Sequence, residues 1–486
     1  MSFEISFDLP PDWQVKTVQE LVNEKILEKP LDGNHGGIHP KASDYVETGI
    51  PFIMASDLEA GLVNFSSCKY ISLQQAEKLR KGFAREGDVL LSHKATIGRT
   101  AIVQPNDSEY IVLTPQVTYY RVKDENKLNN IYLKSFFDSY FFQTILNQWA
   151  GSGSTRAYLG ITEQLKLPVI VPPIDSQIEI ASFTNNLNSK IHLNNKINQT
   201  LESIAQAIFK SWFIDFDPVR AKIAAKQEGN DPELAAMCVI SGKSEEELKQ
   251  MSEDDLAELR ATAVLFPDEF VESELGKVPK GWQVGCVGDI ATAKGGYAFK
   301  GSQFVEKGYP VIKIKNITGD GKVDIQGTQC IDEKTARNAA KFMLHDCDLV
   351  MAMTGATVGK IGLVNTHGKS IYLNQRVAKF ESEKFGGKIS YFLFCLFNRK
   401  EYFEQIVGIA QGSAQPNISS SGIESTSIIV PNFELINLFI KNTDSIFQYW
   451  LKNGSINNFL NQSRDTLLPK LLSGEVSVLG FQGEVA

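Results

Sequence analysis

Between Ser176 and Phe213 the chain carries no Gly or Pro, and its apolar residues return at helical spacing: Ile180, Phe183, Leu187, Ile191, Ile197, Leu201, Ile204 and Ile208. Set out in heptads, Ile180, Leu187, Asn194, Leu201 and Ile208 share one position. Phe183, Ile197 and Ile204 fall three residues later, and Lys190 interrupts that second row. A stripe this narrow suits a single partner helix. At 1.5 Å per residue the predicted helix is about 55 Å long.

A mate lies in the same chain. Adding 259 to these numbers gives Phe439, Ile446, Asn453, Leu460 and Leu467, with Ile456 answering Ile197. The expected seam therefore runs through Ile180, Leu187, Asn194 and Leu201 on one helix and Ile446, Asn453 and Leu460 on the other. Asn194 and Asn453 occupy equivalent positions. A buried asparagine fixes register at a cost in stability, while two asparagines on the wet side of a loose pair give the same pattern. Gly454 and Pro469 predict a less regular second helix, with Pro469 kinking or ending it.

The duplication reaches beyond the helices. At the same offset Gly49, Pro51 and Ile53 match Gly308, Pro310 and Ile312, Gln116 matches Gln375, and Tyr132 matches Tyr391. Gly153-Ser154 likewise matches Gly412-Ser413, and Val171-Pro172 matches Val430-Pro431. Asp88-Val-Leu-Leu and Ala95-Thr-Ile-Gly-Arg pair with Asp348-Leu-Val-Met and Ala356-Thr-Val-Gly-Lys after small gaps, and Pro10 and Trp13 answer Pro279 and Trp282. One unit, a mixed domain followed by a long helix, occurs twice, so no solenoid of short repeats is indicated. Short apolar runs such as Val89-Leu-Leu-Ser, Thr100-Ala-Ile-Val and Ile111-Val-Leu-Thr predict strands, and Leu133 to Trp149 predicts helix.

Composition and charge narrow the class. The 486 residues are 43% apolar, enough for more than one core, and contain no run long enough for a membrane span. The N-terminal stretch lacks the basic and apolar regions of a signal peptide. Six scattered cysteines with no CxxC pair predict free thiols in a reducing compartment, the cytoplasm. Net charge is −8, but Asp231 to Gly276 holds 13 acidic against 3 basic residues, leaving the rest at 44 against 46. A neutral body still presents basic faces, so the overall charge does not exclude nucleic acid. The acidic stretch itself predicts a solvated surface excursion.

Catalytic patterns are missing. Gly355-Ala-Thr-Val-Gly-Lys360 spaces its glycines one residue too closely for a phosphate loop, and Ile361 stands where a hydroxyl should hold magnesium. Val171-Pro-Pro-Ile lacks the polar residue that opens an adenine-methylase motif. The six histidines form no HExxH or Cys/His cluster, and His35 and His39 fall in a Gly-rich segment expected to be a loose loop. The pattern is that of a protein that binds.

Four phrases carry a resemblance: Trp212-Phe-Ile-Asp-Phe-Asp-Pro-Val-Arg220, Phe266-Pro-Asp-Glu-Phe-Val-Glu-Ser-Glu-Leu275, Pro279-Lys-Gly-Trp282 and Leu467-Leu-Pro-Lys-Leu-Leu-Ser-Gly-Glu475. With the Gly153-Ser-Thr-Arg156 loop, Leu167-Pro-Val-Ile-Val-Pro-Pro173 and the duplicated plan, the chain resembles the specificity subunit of a type I restriction–modification system. The likeness spans nearly the whole chain and is weakest from 225 to 262. It implies an α+β fold: two repeated mixed target-recognition domains separated by two long antiparallel coiled-coil helices. The expected divisions are 1–173 and 277–431 for the domains, 174–214 and 432–475 for the helices, 215–276 for the acidic connection, and 476–486 for a tail.

The resemblance also implies a role. Each domain would read one half of a split DNA target, and the helices would set the unread gap and dock methyltransferase subunits, two of them expected. Half-sites about 34 Å apart suit such a pair. No cofactor is expected in this chain; S-adenosylmethionine, ATP and magnesium belong to the partner methyltransferase and restriction subunits. On the loops, Lys94, Arg99 and Arg156 in the first domain and Lys360, Arg376, Gln415 and Asn417 in the second are the candidates to meet phosphates or base edges. Thr96, Ser154, Thr155, Thr357 and Ser413 are candidate phosphate partners; against every one of these candidates stands the plainer reading of a solvated surface base or a turn-capping hydroxyl. A two-headed protein scaffold and an enzyme with an unrecognised nuclease or methylase site are the alternatives.

Overall fold

The computed structural model describes residues 9–151, 157–410 and 416–477. They fall into two compact units, 1–193 with 457–486, and 194–456. Each unit is one head plus half of each long helix.

The head of the first unit carries two sheets. One has strands in the order Leu31–Asp32, Val117–Tyr120, Val89–Ser92, Thr100–Ile102, Gly61–Val63, Leu58–Glu59. The other runs Tyr45–Val46, Lys69–Ile71, Ile50–Ile53, Ile111–Leu113, Phe83–Ala84. The second unit repeats the plan with Thr292–Gly295, Val377–Glu381, Leu349–Ala352, Ile361–Leu363, Gly321–Lys322, and with Phe304–Val305, Gln329–Ile331, Tyr309–Ile312, Ile371–Leu373, Met343–Leu344. In both heads the strand after the Gly-x-Pro phrase pairs in parallel with a later strand: Phe52 with Val112, and Val311 with Tyr372. Central strands are buried on both faces, which is why they read as unbroken apolar runs.

Helices cover each head. The predicted helix over 133–149 is two, Asn130–Asp138 and Tyr140–Gly151, broken at Ser139, whose extended backbone ends the first. The segment around His35 is fastened rather than loose. Asn34 is buried and accepts from the backbone of Arg80 at 2.9 Å, and His35 meets Asp32 at 2.7 Å.

The long helices are Ile174–Phe213 and Phe433–Leu472. In the second unit they run antiparallel: Asn198 bonds the carbonyl of Trp450, while Phe209 and Phe213 meet the ring of Phe439. In the first unit Arg464 reaches Asn188 at 2.9 Å, and Ile180 shares a core with Leu468 and Leu471. The first row of the seam lies inward: Ile180, Asn194 and Asn453 are buried, and Leu187, Leu201, Ile446 and Leu460 half-buried. Of the expected second row Phe183 is half-buried against the core, but Ile197 and Ile204 are 36% and 44% exposed. The more buried positions lie four residues on from the first row, at Thr184, Ile191, Asn198 and Ala205. These positions serve different neighbours: Thr184 meets Ser135 of the head at 2.7 Å, Asn198 reaches the other long helix at Trp450, and Thr184 and Thr443 also bond back to their own helix at Ile180 and Phe439.

The second helix is also more regular than its sequence suggests. Pro469 sits inside its last turn without ending it. Gly454 gives Asn365 room, whose amide donates to the Leu451 carbonyl at 2.8 Å.

The four phrases of the resemblance build two junctions. In the second unit Trp212 and Phe213 end the first long helix and, with Phe216 just beyond, form one aromatic knot: Trp212 lies edge-on to Phe266, Phe216 edge-on to Trp282, and Phe213 tilted against Trp282. In the first unit Leu471 and Leu472 share a core with Trp13, and Gly474 lies against Pro10. The acidic connection is a small helical module rather than a bare excursion. Its helices Pro232–Ser241, Glu245–Leu248 and Glu253–Val264 close around Ala236, Met237, Leu248 and Ala263, and Asp217–Glu228 is tied to them by the Lys222–Glu233 ion pair.

Candidate nucleic-acid interface

Two loops far apart in sequence meet at one corner of each head. In the first, the turn after Ser92 pairs with the segment just past residue 156. The His93 carbonyl accepts from the Leu159 amide at 3.0 Å, the Ala95 amide donates to Ala157, and Lys94 and Tyr158 stand opposite each other in an isolated antiparallel bridge. His93 is buried and directs Nδ1 at the Leu159 carbonyl, 2.9 Å away, so the ledge is stitched through both backbone and side chain. Burial pulls the His93 pKa below its ordinary value, against a smaller upward pull from Asp32. Lys94 is exposed, with its ammonium 5.8 Å from the centre of the Tyr158 ring.

The second head builds the same ledge from different side chains. Gly355 donates to the Pro416 carbonyl at 2.9 Å, Ile418 donates to Met353 at 2.9 Å, and Thr354 bridges Asn417. An ammonium and a phenol in one head thus become a hydroxyl and an amide in the other. These groups present different donors and acceptors to a base edge.

The turn motif shared by the two copies is a matter of backbone. Gly98 and Gly359 have φ of +89° and +81°, a conformation that side chains disfavour. A Cβ on Gly98 would run into the Gln143 amide, and one on Gly359 would lie 3.1 Å from the Phe403 ring. The phosphate-loop look of the second copy follows from this shared turn.

The remaining candidates divide. Thr96 is exposed on the turn. Arg99 spends its guanidinium on the carbonyls of Ala55 and Ser56, at 3.2 and 3.4 Å. Thr357 caps its own turn by donating to the Thr354 carbonyl, and Lys360 lies along the turn at Gly319. Arg376 and Asn417 are exposed. Ser154, Thr155, Arg156, Ser413 and Gln415 lie outside the described residues.

One sequence match shifts by a residue. Gln116 accepts from the His93 amide and Arg376 from the Met353 amide, so the counterpart of Gln116 is Arg376 and not Gln375. A one-residue slip in a connecting loop leaves apolar strands aligned and moves only the turn. Tyr158 follows the small-residue loop as an ordinary aromatic, so its one signal in the sequence is its register against Asn417 in the second copy. Among the described residues no three His, Cys, Asp or Glu side chains gather as metal ligands, and no helix is long and apolar enough to cross a membrane.

Comparison with known proteins bears on this architecture. Residues 10–203 and 279–447 match the family model described as the type I restriction modification DNA specificity domain. The chain is 30% identical over 435 residues to the specificity subunit of the type I restriction enzyme HindI of Haemophilus influenzae, covering 85% of this chain and 91% of the relative. It is 24% identical to the MjaIX specificity subunit of Methanocaldococcus jannaschii, covering 97% and 95%. The crystal structure of a type I restriction–modification S subunit from M. genitalium shares the fold, with a TM-score of 0.52, 12% identity, and coverage of 97% and 98%.

Proposed function

The chain belongs to the type I restriction–modification DNA-specificity family and is a DNA-specificity subunit, and on that premise we propose that each of its heads reads one half of a split duplex target. The two long helices set the unread gap and dock methyltransferase subunits, one for each repeat, and a restriction subunit completes the complex. Chemistry resides in those partners, with S-adenosylmethionine on the methyltransferase and ATP and magnesium on the restriction subunit. This chain supplies sequence choice, in the cytoplasm where the DNA is.

The observation that carries the reading is the pair of equivalent ledges. Lys94–Tyr158 and Thr354–Asn417 occupy the same place in the two copies with different chemistry. Two heads reading different bases require such a pairing, whereas a symmetric scaffold binding two copies of one partner would keep the same side chains.

The test is a genome-wide methylation map of cells carrying this chain with its methyltransferase, beside a strain in which residues 277–431 are replaced by a relative's domain. The expected result is a split motif that changes in one half only. An absent motif in both strains, with all subunits expressed, would overturn the proposal. Cleavage or methylation by the isolated chain would replace it with an enzyme.

A further inference from the structure

Beside the ledge, the parallel strands Tyr309–Ile312 and Ile371–Leu373 end at one edge of the second head. The turns that follow them lie together there, because the Asn374 amide donates to the Ile312 carbonyl at 3.0 Å. These turns present Lys313, Lys315 and Arg376. The first head has the same two turns, joined by the Thr114 amide and the Ile53 carbonyl at 2.9 Å. Both first turns close by the same bond, from Met54 to Asp57 at 2.8 Å and from Lys313 to Asn316 at 3.0 Å. Their charges differ. Where the first head has Met54, Ser56, Gln116 and a buried Asp57, with Arg99 laid across the Ala55 and Ser56 carbonyls, the second has Lys313, Lys315, Arg376 and a neutral, buried Asn316.

The cations are placed without counter-charges. No ion pair joins Lys313, Lys315 or Arg376 to a carboxylate among the described residues. Lys313 lies 3.6 Å from the centre of the Phe304 ring and donates to Gln329 at 2.5 Å, so its ammonium is held at the edge by neutral groups. Burial, with Lys315 alongside, lowers its pKa, which marks a site where an anion would be welcomed. Lys315 and Arg376 are exposed.

We infer that this edge is a seat for DNA backbone phosphate, formed by Lys313, Lys315 and Arg376, where the equivalent turns of the first head hold one cation, Arg99, bonded to the Ala55 and Ser56 carbonyls. The inference rests on the DNA-specificity reading and adds an asymmetry to it: the second head offers three cations at this edge where the first offers Arg99 alone. Phosphate contacts fix position without reading sequence and make affinity depend on salt.

The test uses the assembled complex with methyltransferase, a labelled duplex carrying the methylated motif, and a scrambled duplex. The K315Q/R376Q variant should flatten the dependence of log affinity on log salt by about 2, at about 0.9 per lost contact. From about 50 to about 200 mM salt the unaltered complex should therefore lose about tenfold more affinity than the variant. The change should be the same for both duplexes, with the motif unaltered. K315R/R376K should restore the slope, and S56A/Q116A in the first head should leave it unchanged. An unaltered slope with binding intact would overturn the inference alone, and so would loss of the methyltransferase subunits on charge removal, which would assign the edge to a protein partner. If the unaltered complex binds neither duplex, the specificity reading falls and the inference falls with it.

Discussion

Asn453 donates its side-chain amide to the Oδ1 of Asn198 at 2.9 Å, and Asn198 passes its own amide to the carbonyl of Trp450 at 3.1 Å, all between the paired long helices. The partner of Asn453 is therefore an asparagine that the heptad reading left out. A bonded asparagine pair inside a seam ties one register to the polar groups of the other helix. Sliding the helices by a turn would leave buried amides unpaired.

Replacing Asn453 by Ala should cost about 1–3 kcal/mol, because the oxygen of Asn198 then loses its donor while buried. Asn198→Leu with Asn453→Leu should recover much of that loss by removing both polar partners together. A double-mutant cycle by urea unfolding of the complete chain checks this; additive costs would mean that the pair is not coupled.

The two candidate rows of the first long helix make opposite predictions. Ile204→Ser, on an outward position, should change stability by no more than about 0.5 kcal/mol. Ala205→Leu, one residue on and buried, should cost about 1–3 kcal/mol by overpacking the core it sits in. Denaturation of both variants side by side decides which row faces inward.

Gly98→Ala forces a left-handed residue and drives a methyl group into the Gln143 amide. The strain alone should destabilise the first head by about 1–2 kcal/mol. Because the Lys94–Tyr158 ledge hangs from this turn, methylation maps should show relaxed choice in one half of the motif and an unchanged other half.

Acid should loosen the first head through His93. Its folded pKa lies below the ordinary 6.5 because burial opposes the charged ring, with Asp32 pulling upward and His35 and Lys94 downward. Below about pH 6.5 the unfolded chain therefore binds a proton that the folded head does not, so stability is complete above that pH and falls beneath it. The slope from this group approaches about 1.4 kcal/mol per pH unit. His93→Gln, which cannot ionise, should flatten the pH profile of thermal unfolding between about pH 7 and about pH 5; an equally steep profile would assign the acid sensitivity elsewhere.

Much of this molecule is legible in its residues. The constant offset of 259 places Asn194 beside Asn453 and Ile180 beside Phe439 in the repeat, and all four are buried. The phrases around Trp212, Phe266 and Trp282 are recognisable without any geometry, since aromatic residues at a domain boundary need something to bury them. Their convergence in one knot is tertiary.

Three features were decided only by the folded chain. In a helix of 3.6 residues per turn, positions three and four residues on lie about 60° to one side of the starting residue and about 40° to the other. A stripe of isoleucines cannot say which side is covered, and packing against head and helix together buried Thr184 and Ala205 and left Ile197 and Ile204 outward. The match of Gln116 to Arg376 depends on which carbonyl meets the His93 and Met353 amides, and a loop can slip by one residue without disturbing its strands. The basic edge at Lys313, Lys315 and Arg376 exists because parallel strands end together, bringing side chains some sixty residues apart in sequence to one place. Periodicity and repetition are local or self-comparing signals, so the sequence carries them outright; which faces meet is a property of the packed pair, and only tertiary structure contains the pair.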